Sequence, residues 1–268
     1  MISETARETC IRALKSGGQI LMDHYGSSTK TIVKKSISSV VTEADLASEK
    51  TILKILEDDF PGHNVITEET GYIHKDSAYT WVVDPLDGTS NFAAGLPWFG
   101  VIISLFKDNT PVMGGMYLPV DDCLYMAESG KGAWKNGEAI RTTNTMATED
   151  VLVAYSFDFS AEPGKTRAEM EVLERLSFRV RNIRSTNSLV EFCFTADGRL
   201  GAALNQTTKI WDIAAPWLII TEAGGKVTDI KGEEIQWNLS MNPCEKNYTI
   251  LASGKALHTP LLNITNAS

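Results

Sequence analysis

WVVDPLDGTSNF, residues Trp81–Phe92, runs three apolar residues into two aspartates and a glycine. Trp81–Val83 has the aromatic and β-branched character of a buried strand. Asp84 falls where that strand emerges, Pro85 stiffens the turn, and Gly88 leads into Thr89-Ser90-Asn91, which reads as the start of a helix. Both carboxylates are thereby aimed into one small volume. Beside them, the amides of Gly88 and Thr89 at a helix N-terminus would suit phosphate, because unpaired N–H groups and the helix dipole favour anionic oxygens. Two close carboxylates resist joint ionisation unless a cation bridges them, and oxygen ligands suit magnesium or manganese rather than zinc. The plainer alternative is a capping aspartate followed by a turn.

On the N-terminal side of this stretch, Ile2, Ala6, Cys10, Ala13, Leu14, Gly17, Ile20 and Leu21 recur at helical spacing and predict an amphipathic helix ending near Gly26. A second helix opens at Thr42, with Asp45 three residues on as in a capping box, and stops at Pro61-Gly62. On the C-terminal side, Phe99–Phe106, Val112–Leu118 and Leu124–Ala127 read as strands, and Asn136-Gly137 as a hairpin turn. From Val151 onward strands and helices alternate: strands at Val151–Tyr155, near Val180, at Gly201–Leu204 and at Tyr248–Ala252, and helices at Ala168–Leu176, Ser188–Ala196 and Ile213–Glu222. The polar tail Asn263–Ser268 is expected to fray. The pattern predicts an α+β protein of layered helices and sheets in two halves, residues 1–145 and 146–268.

The 268 residues are 43% hydrophobic, enough for a sizeable core, and carry a formal net charge of -9. That charge opposes a sequence-independent nucleic-acid binder, which needs clustered Lys and Arg. It also means that a phosphorylated substrate would require bound metal or a local basic pocket. The start, MISETARETC, lacks the uninterrupted apolar run of a secretory signal, and no stretch is long enough to span a membrane, so a cytoplasmic protein with no membrane partner is expected. Cys10, Cys123, Cys193 and Cys244 are far apart and read as buried reduced thiols. The four histidines, at 24, 63, 74 and 258, stand away from the aspartate motif, which disfavours a phosphohistidine route.

Three further acidic segments complete the picture. Glu68-Glu69 closes GHNVITEETG after a short apolar run, Asp45 caps the second helix, and Asp212 in IWDIAAPWLIITEAGG is placed to N-cap the helix that follows. Taken singly, each has an ordinary structural role. Together, VVTEAD (Val40–Asp45), ITEE (Ile66–Glu69), WVVDPLDGTSNF and WDIAAPWLIITEAGG (Trp211–Gly225) resemble, in order and approximate spacing, the inositol monophosphatase family of metal-dependent sugar and polyol phosphatases.

The resemblance implies a layered αβαβα sandwich of the sugar-phosphatase type, with the active site between the two halves. It implies two or three Mg2+ ions, with Mn2+ as a possible substitute, held by Glu68, Asp84, the Leu86 carbonyl, Asp87 and Asp212. Thr89 and Asp45 match the pair that activates the attacking water, and Glu69 and Lys34 match positions tied to further metal-bound water. Lithium sensitivity and a homodimer are implied as well.

For the substrate the resemblance implies inositol 1-phosphate or a related polyol or sugar phosphate, contacted by Gly88, Thr89, Ser90, Asn187, Asn205 and Lys209. Asn205 departs from the inositol-specific members, which carry glutamate seven residues before the metal-binding aspartate; an amide supplies no charged acceptor. Asn91 stands where nucleotide bisphosphate phosphatases tend to carry an acidic or small residue, which argues against a nucleotide. Lys209, Arg184, Arg181 and Lys165 are cations that a second phosphate would need, though an ordinary solvated surface is the plainer account of them. Trp98, Phe99, Trp211 and Trp217 are expected in the core. Fructose 1,6-bisphosphate or histidinol phosphate hydrolysis is the alternative within this chemistry, and a non-catalytic regulatory binding protein is the alternative outside it.

Overall fold

The computed structural model describes residues 4–26, 32–34, 40–157, 162–240 and 243–267, with the backbone alone for 32–34 and 40. The first part of the chain forms α1 (Glu4–His24), β1 (Ile32–Lys34), β2 (Val40–Thr42), α2 (Glu43–Asp59), β3 (Asn64–Thr67), β4 (Gly71–Ile73), β5 (Tyr79–Asp87) and α3 (Thr89–Ala94). Five strands follow: β6 (Gly100–Lys107), β7 (Thr110–Leu118), β8 (Cys123–Glu128), β9 (Gly132–Lys135) and β10 (Glu138–Ala139). The remainder is β11 (Leu152–Ser156), α4 (Pro163–Ser177), β12 (Asn182–Arg184), α5 (Val190–Ala196), β13 (Ala202–Thr208), α6 (Ile210–Glu222), β14 (Gly225–Thr228), β15 (Tyr248–Gly254) and α7 (Lys255–Thr265).

Two sheets carry the architecture. One has eight strands in the order β10-β9-β8-β7-β6-β5-β3-β4, the other five in the order β12-β11-β13-β15-β14, and β1 and β2 form a small separate pair. Period-two alternation along the strands sorts side chains to the two faces of each sheet. On β5, Trp81 and Val83 join a core with Cys10, Leu14, Leu21, Ile52 and Leu56 of α1 and α2. Val82, between them, faces the opposite core, built with α5, α6 and Ala154, Ala203 and Ala252 of the smaller sheet. On β13, Ala202 and Leu204 turn outward to a third core with Val172 and Leu176 of α4 and Leu257 and Leu261 of α7. The layers are therefore helices, sheet, helices, sheet, helices, the α+β sandwich expected. Each large apolar side chain buried in them contributes about 1.5–3 kcal/mol relative to exposure.

The helix α6 is apolar on nearly every side because it lies between the two sheets. It approaches β7 closely: a Cβ on Gly114 would lie 2.9 Å from Ala215 Cα and 3.1 Å from its Cβ. The Asn136-Gly137 hairpin forms as read, with both residues at positive φ (50° and 87°) between β9 and β10.

Several expected boundaries shift. The tail does not fray at Asn263, because α7 continues to Thr265 with Leu257, His258 and Leu261 buried. Ser188 stays in a turn, α5 starting at Val190. α6 starts at Ile210 rather than Ile213, so Asp212 is its third residue and not its N-cap. Cys10 and Cys193 are buried, whereas Cys123 and Cys244 are partly exposed; all four thiols are free. Among the described residues no helix is long and apolar enough to cross a membrane.

Candidate active site

β5 breaks its regular pairing with β6 where the two aspartates sit. Asp84 pairs with Ile102 and Asp87 with Gly100, so three steps on one strand meet two on the other. Residues three apart on an unbroken strand face opposite sides, and the extra residue returns them to a common side. Asp212 reaches the same spot from the first turn of α6, and oxygens of Asp84, Asp87 and Asp212 lie within 4.8 Å of one another. They stand at a cleft of about 360 Å³ that Glu68, Leu86, Gly88, Thr89, Ser90, Asn187, Asn205 and Lys209 also line.

The electrostatics follow from burial. Asp84 is 2% exposed, and burial pushes its carboxyl well above the usual range; Glu68, Asp87 and Asp212 push it further, against one N–H donated by Leu86 at 3.0 Å. A hard divalent cation would relieve that repulsion. The oxygen donors of Asp84, Asp87 and Asp212 fit magnesium or manganese in kind and spacing, and Glu68 and Leu86 line the same cleft.

Asp45 does not line the cleft; it is buried under Thr89. Its Oδ2 accepts from Thr42 N (2.7 Å) and Thr42 Oγ1 (2.6 Å), completing the capping box of α2, while Thr89 Oγ1 is 3.1 Å from Oδ1. Burial raises its pKa, the hydrogen bonds from Thr42 and Thr89 oppose, and the charge of Glu69 adds to the rise. The Thr89 hydroxyl also lies 2.9 Å from the Leu86 carbonyl, so one proton has two acceptors in reach. Gly88 sits at φ 84°, and a Cβ there would lie 2.5 Å from the Trp98 carbonyl oxygen, so this corner of the cleft requires glycine.

Glu69, like Asp45, lies off the cleft surface. Lys34 falls in β1, and its side chain lies outside the described residues. Lys209 lines the cleft with its ammonium 2.9 Å from the Glu245 carbonyl oxygen. Of the other cations, Arg181 reaches Asp150 at 3.9 Å, Arg184 donates to the Ile183 carbonyl at 2.8 Å, and Lys165 donates to Thr207 Oγ1 beside the cleft. Phe99 and Trp211 are buried as expected. Trp98 is not: it stands in the loop before β6, 39% exposed.

Sequence reasoning missed two buried glutamates. Glu49 accepts from Thr67 Oγ1 (2.6 Å), Glu69 N (3.2 Å), Thr70 N (3.1 Å) and Thr70 Oγ1 (2.8 Å), and so holds the turn that carries Glu68 and Glu69. Its spacing of four from Asp45, on one face of α2, was the available signal. Glu191 lines the cleft with Ser188, Phe192, Thr207 and Thr208, none of which was expected there, and with Trp211, which was expected only in the core. Burial raises its pKa against donors from Thr186, Ser156 and Asn187.

The inositol monophosphatase family profile matches residues 3–267. The chain is 32% identical over 258 residues to a fructose-1,6-bisphosphatase/inositol-1-monophosphatase of Aquifex aeolicus, covering 94% of this chain and 92% of that protein. It is 35% identical over 222 residues to the Nus factor SuhB of Haemophilus influenzae, covering 82% and 83%. The crystal structure of the extragenic suppressor protein suhB from Bartonella henselae superposes with a TM-score of 0.89 at 28% identity, covering 98% of this chain and 99% of that one. Matched along almost its entire length, and with Asp84, Asp87 and Asp212 gathered at one cleft, the chain belongs to the inositol monophosphatase family and is a phosphoric monoester hydrolase.

Proposed function

We propose that the protein hydrolyses inositol 1-phosphate or a related polyol or sugar phosphate, with magnesium as cofactor and water as nucleophile. The observation that carries this reading is the convergence of Asp84, Asp87 and Asp212 within 4.8 Å at the cleft. Glu68, Asp84, the Leu86 carbonyl, Asp87 and Asp212 would hold two or three ions, Mn2+ serving as substitute. When bound, magnesium neutralises phosphate charge and lowers the pKa of bound water.

The protein's own groups then position and move protons. The attacking water donates to Thr89 Oγ1 while Thr89 donates to Asp45, so the proton released on attack ends on a carboxylate whose burial raises its basicity. Glu69, near Asp45, favours that protonation by its charge. The P–O ester bond breaks and the alcohol departs with a proton from solvent. Amides at Gly88, Thr89 and Ser90 hold phosphate oxygens, and Asn187, Asn205 and Lys209 hold the alcohol. The halves 1–145 and 146–268 divide these tasks: the first supplies most carboxylates, the second Asp212 and the alcohol-facing wall. A cytoplasmic homodimer, sensitive to lithium, is the proposed setting.

Phosphate release from a panel of inositol, fructose, histidinol and nucleotide phosphates tests this. Turnover of inositol 1-phosphate is expected with magnesium and none in chelator. The name of the Aquifex relative favours fructose 1,6-bisphosphate as the second substrate on that panel. The Haemophilus relative favours a second reading, a regulatory binding protein on the same fold, which takes over if no phosphate ester turns over with any divalent metal.

A further inference from the structure

The wall of the cleft contains a buried carboxylate that the proposed chemistry does not use. Glu191, in the first turn of α5, is 3% exposed. Four donors from three residues converge on it. Ser156 Oγ, at the end of β11, lies 2.8 Å and 2.9 Å from its two oxygens; Thr186 Oγ1 lies at 3.0 Å, Asn187 N at 3.1 Å, and Thr186 N donates as well. Asn187 N also points to Ser156 Oγ at 3.1 Å, so the serine hydroxyl accepts from the turn while donating to the glutamate. All four reach Oε1, and Ser156 Oγ reaches Oε2 as well; an ionised carboxylate accepts and never donates, which suits a set made only of donors. Asn187 is held at φ 50°, a conformation costly for a non-glycine residue without such support.

The turn so fixed is where the second half of the chain meets the motif of the first. Leu189 N donates to Asp87 Oδ1, Asn91 Nδ2 donates to the Thr186 carbonyl at 2.7 Å, and a Cβ on Gly88 would lie 3.2 Å from Ser188 Cβ. Asn187 also faces Asn205 across the cleft wall, with their amides 3.5 Å apart. We infer that Glu191 is a positioning residue: its buried carboxylate sets the Thr186–Leu189 turn, and through that turn both the orientation of Asp87 and the placement of Asn187 against the substrate alcohol. The inference rests on the phosphatase reading of the cleft. It assigns the carboxylate no contact with substrate or metal.

The test compares Glu191→Leu, Glu191→Gln and Thr186→Val with the parent protein in two assays: steady-state phosphate release with magnesium, and direct Mn2+ binding by calorimetry without substrate. Glutamine retains an acceptor for the turn amides and can donate to Ser156 Oγ, so it should keep KM and Mn2+ affinity within about twofold of the parent. Leucine removes every acceptor and should raise KM and weaken Mn2+ binding by about tenfold or more, the size seen when supports of a metal ligand are lost. Thr186→Val should raise KM severalfold. Should the leucine variant fail to fold, the glutamine and valine variants decide. Unchanged KM and Mn2+ affinity in the leucine or valine variant, with only a lower melting temperature, would overturn the inference, as would a glutamine variant as impaired as leucine. If the parent turns over no phosphate ester, the phosphatase reading fails, and Mn2+ calorimetry still decides whether Glu191 supports Asp87.

Discussion

Asp45 and Asp212 hold the same place in two different helices. Each is the third residue of its helix, and each gives one carboxylate oxygen to the backbone N–H of the capping position, Thr42 N at 2.7 Å and Lys209 N at 2.6 Å. They differ in what else the carboxylate meets. In α2 the second oxygen of Asp45 meets the hydroxyl of Thr89, whereas in α6 the carboxylate of Asp212 also approaches Asp84 and Asp87 of β5. Capping does not exclude a further role for either residue: the cap holds the carboxylate in place beside its second neighbour.

Asparagine substitutions separate the two uses, because the amide oxygen can still cap while the charge is gone. Asp45→Asn should lower kcat by about 10²- to 10⁴-fold, the range for loss of a general base, with Mn2+ affinity in calorimetry unchanged. Asp212→Asn should cost about 10²- to 10³-fold in kcat/KM and weaken Mn2+ binding at the same time. If both variants lose metal together, or neither does, the division between the helices is wrong.

A smaller effect appears in thermal melts. The carboxyl of Asp84 is raised, so the metal-free protein loses stability as pH climbs from the unfolded value of about 4 through the raised folded value. Metal returns that stability by binding the ionised form, and its affinity falls as pH is lowered through the same raised value. Mn2+ should therefore raise the melting temperature of the parent and of Asp45→Asn, more at pH 8 than at pH 5, and raise that of Asp212→Asn least. An equal rise at both pH values would break the link to Asp84.

Least of all, Thr42→Ala should cost about 1 kcal/mol in denaturant unfolding, through loss of the helix cap in which Ala44 N donates to Thr42 Oγ1. The N-cap of α6 is Lys209, whose side chain has no oxygen to offer, so Lys209→Ala should leave stability nearly unchanged.

What could be read in the chain beforehand was whatever is written within one segment. The motif Trp81–Phe92 carries its strand, break and helix start in twelve consecutive residues, and the capping box from Thr42 to Asp45 spans four, whereas Asp212 was read as an N-cap because Lys209 gives no capping signal. The functions of Glu49 and Glu191 are written across distance: Glu49 serves residues 18 to 21 positions away, and Ser156 is 35 positions from Glu191. No local pattern announces such partners. α7 was hidden by its own Pro260 and polar residues, although Leu257 and Leu261 are spaced to bury one face. Trp98 was misplaced because residue type predicts burial only on average, and its loop turns it outward.

The narrow gap between Gly114 and Ala215 makes the middle strand of one sheet a backstop for the helix that bears Asp212. A single methyl group introduced at 114 would act as a wedge between strand and helix, and one of them would have to give way. If the acids at the cleft hold an ion as proposed, its affinity should respond to bulk added at this contact alone, without any change to an acid.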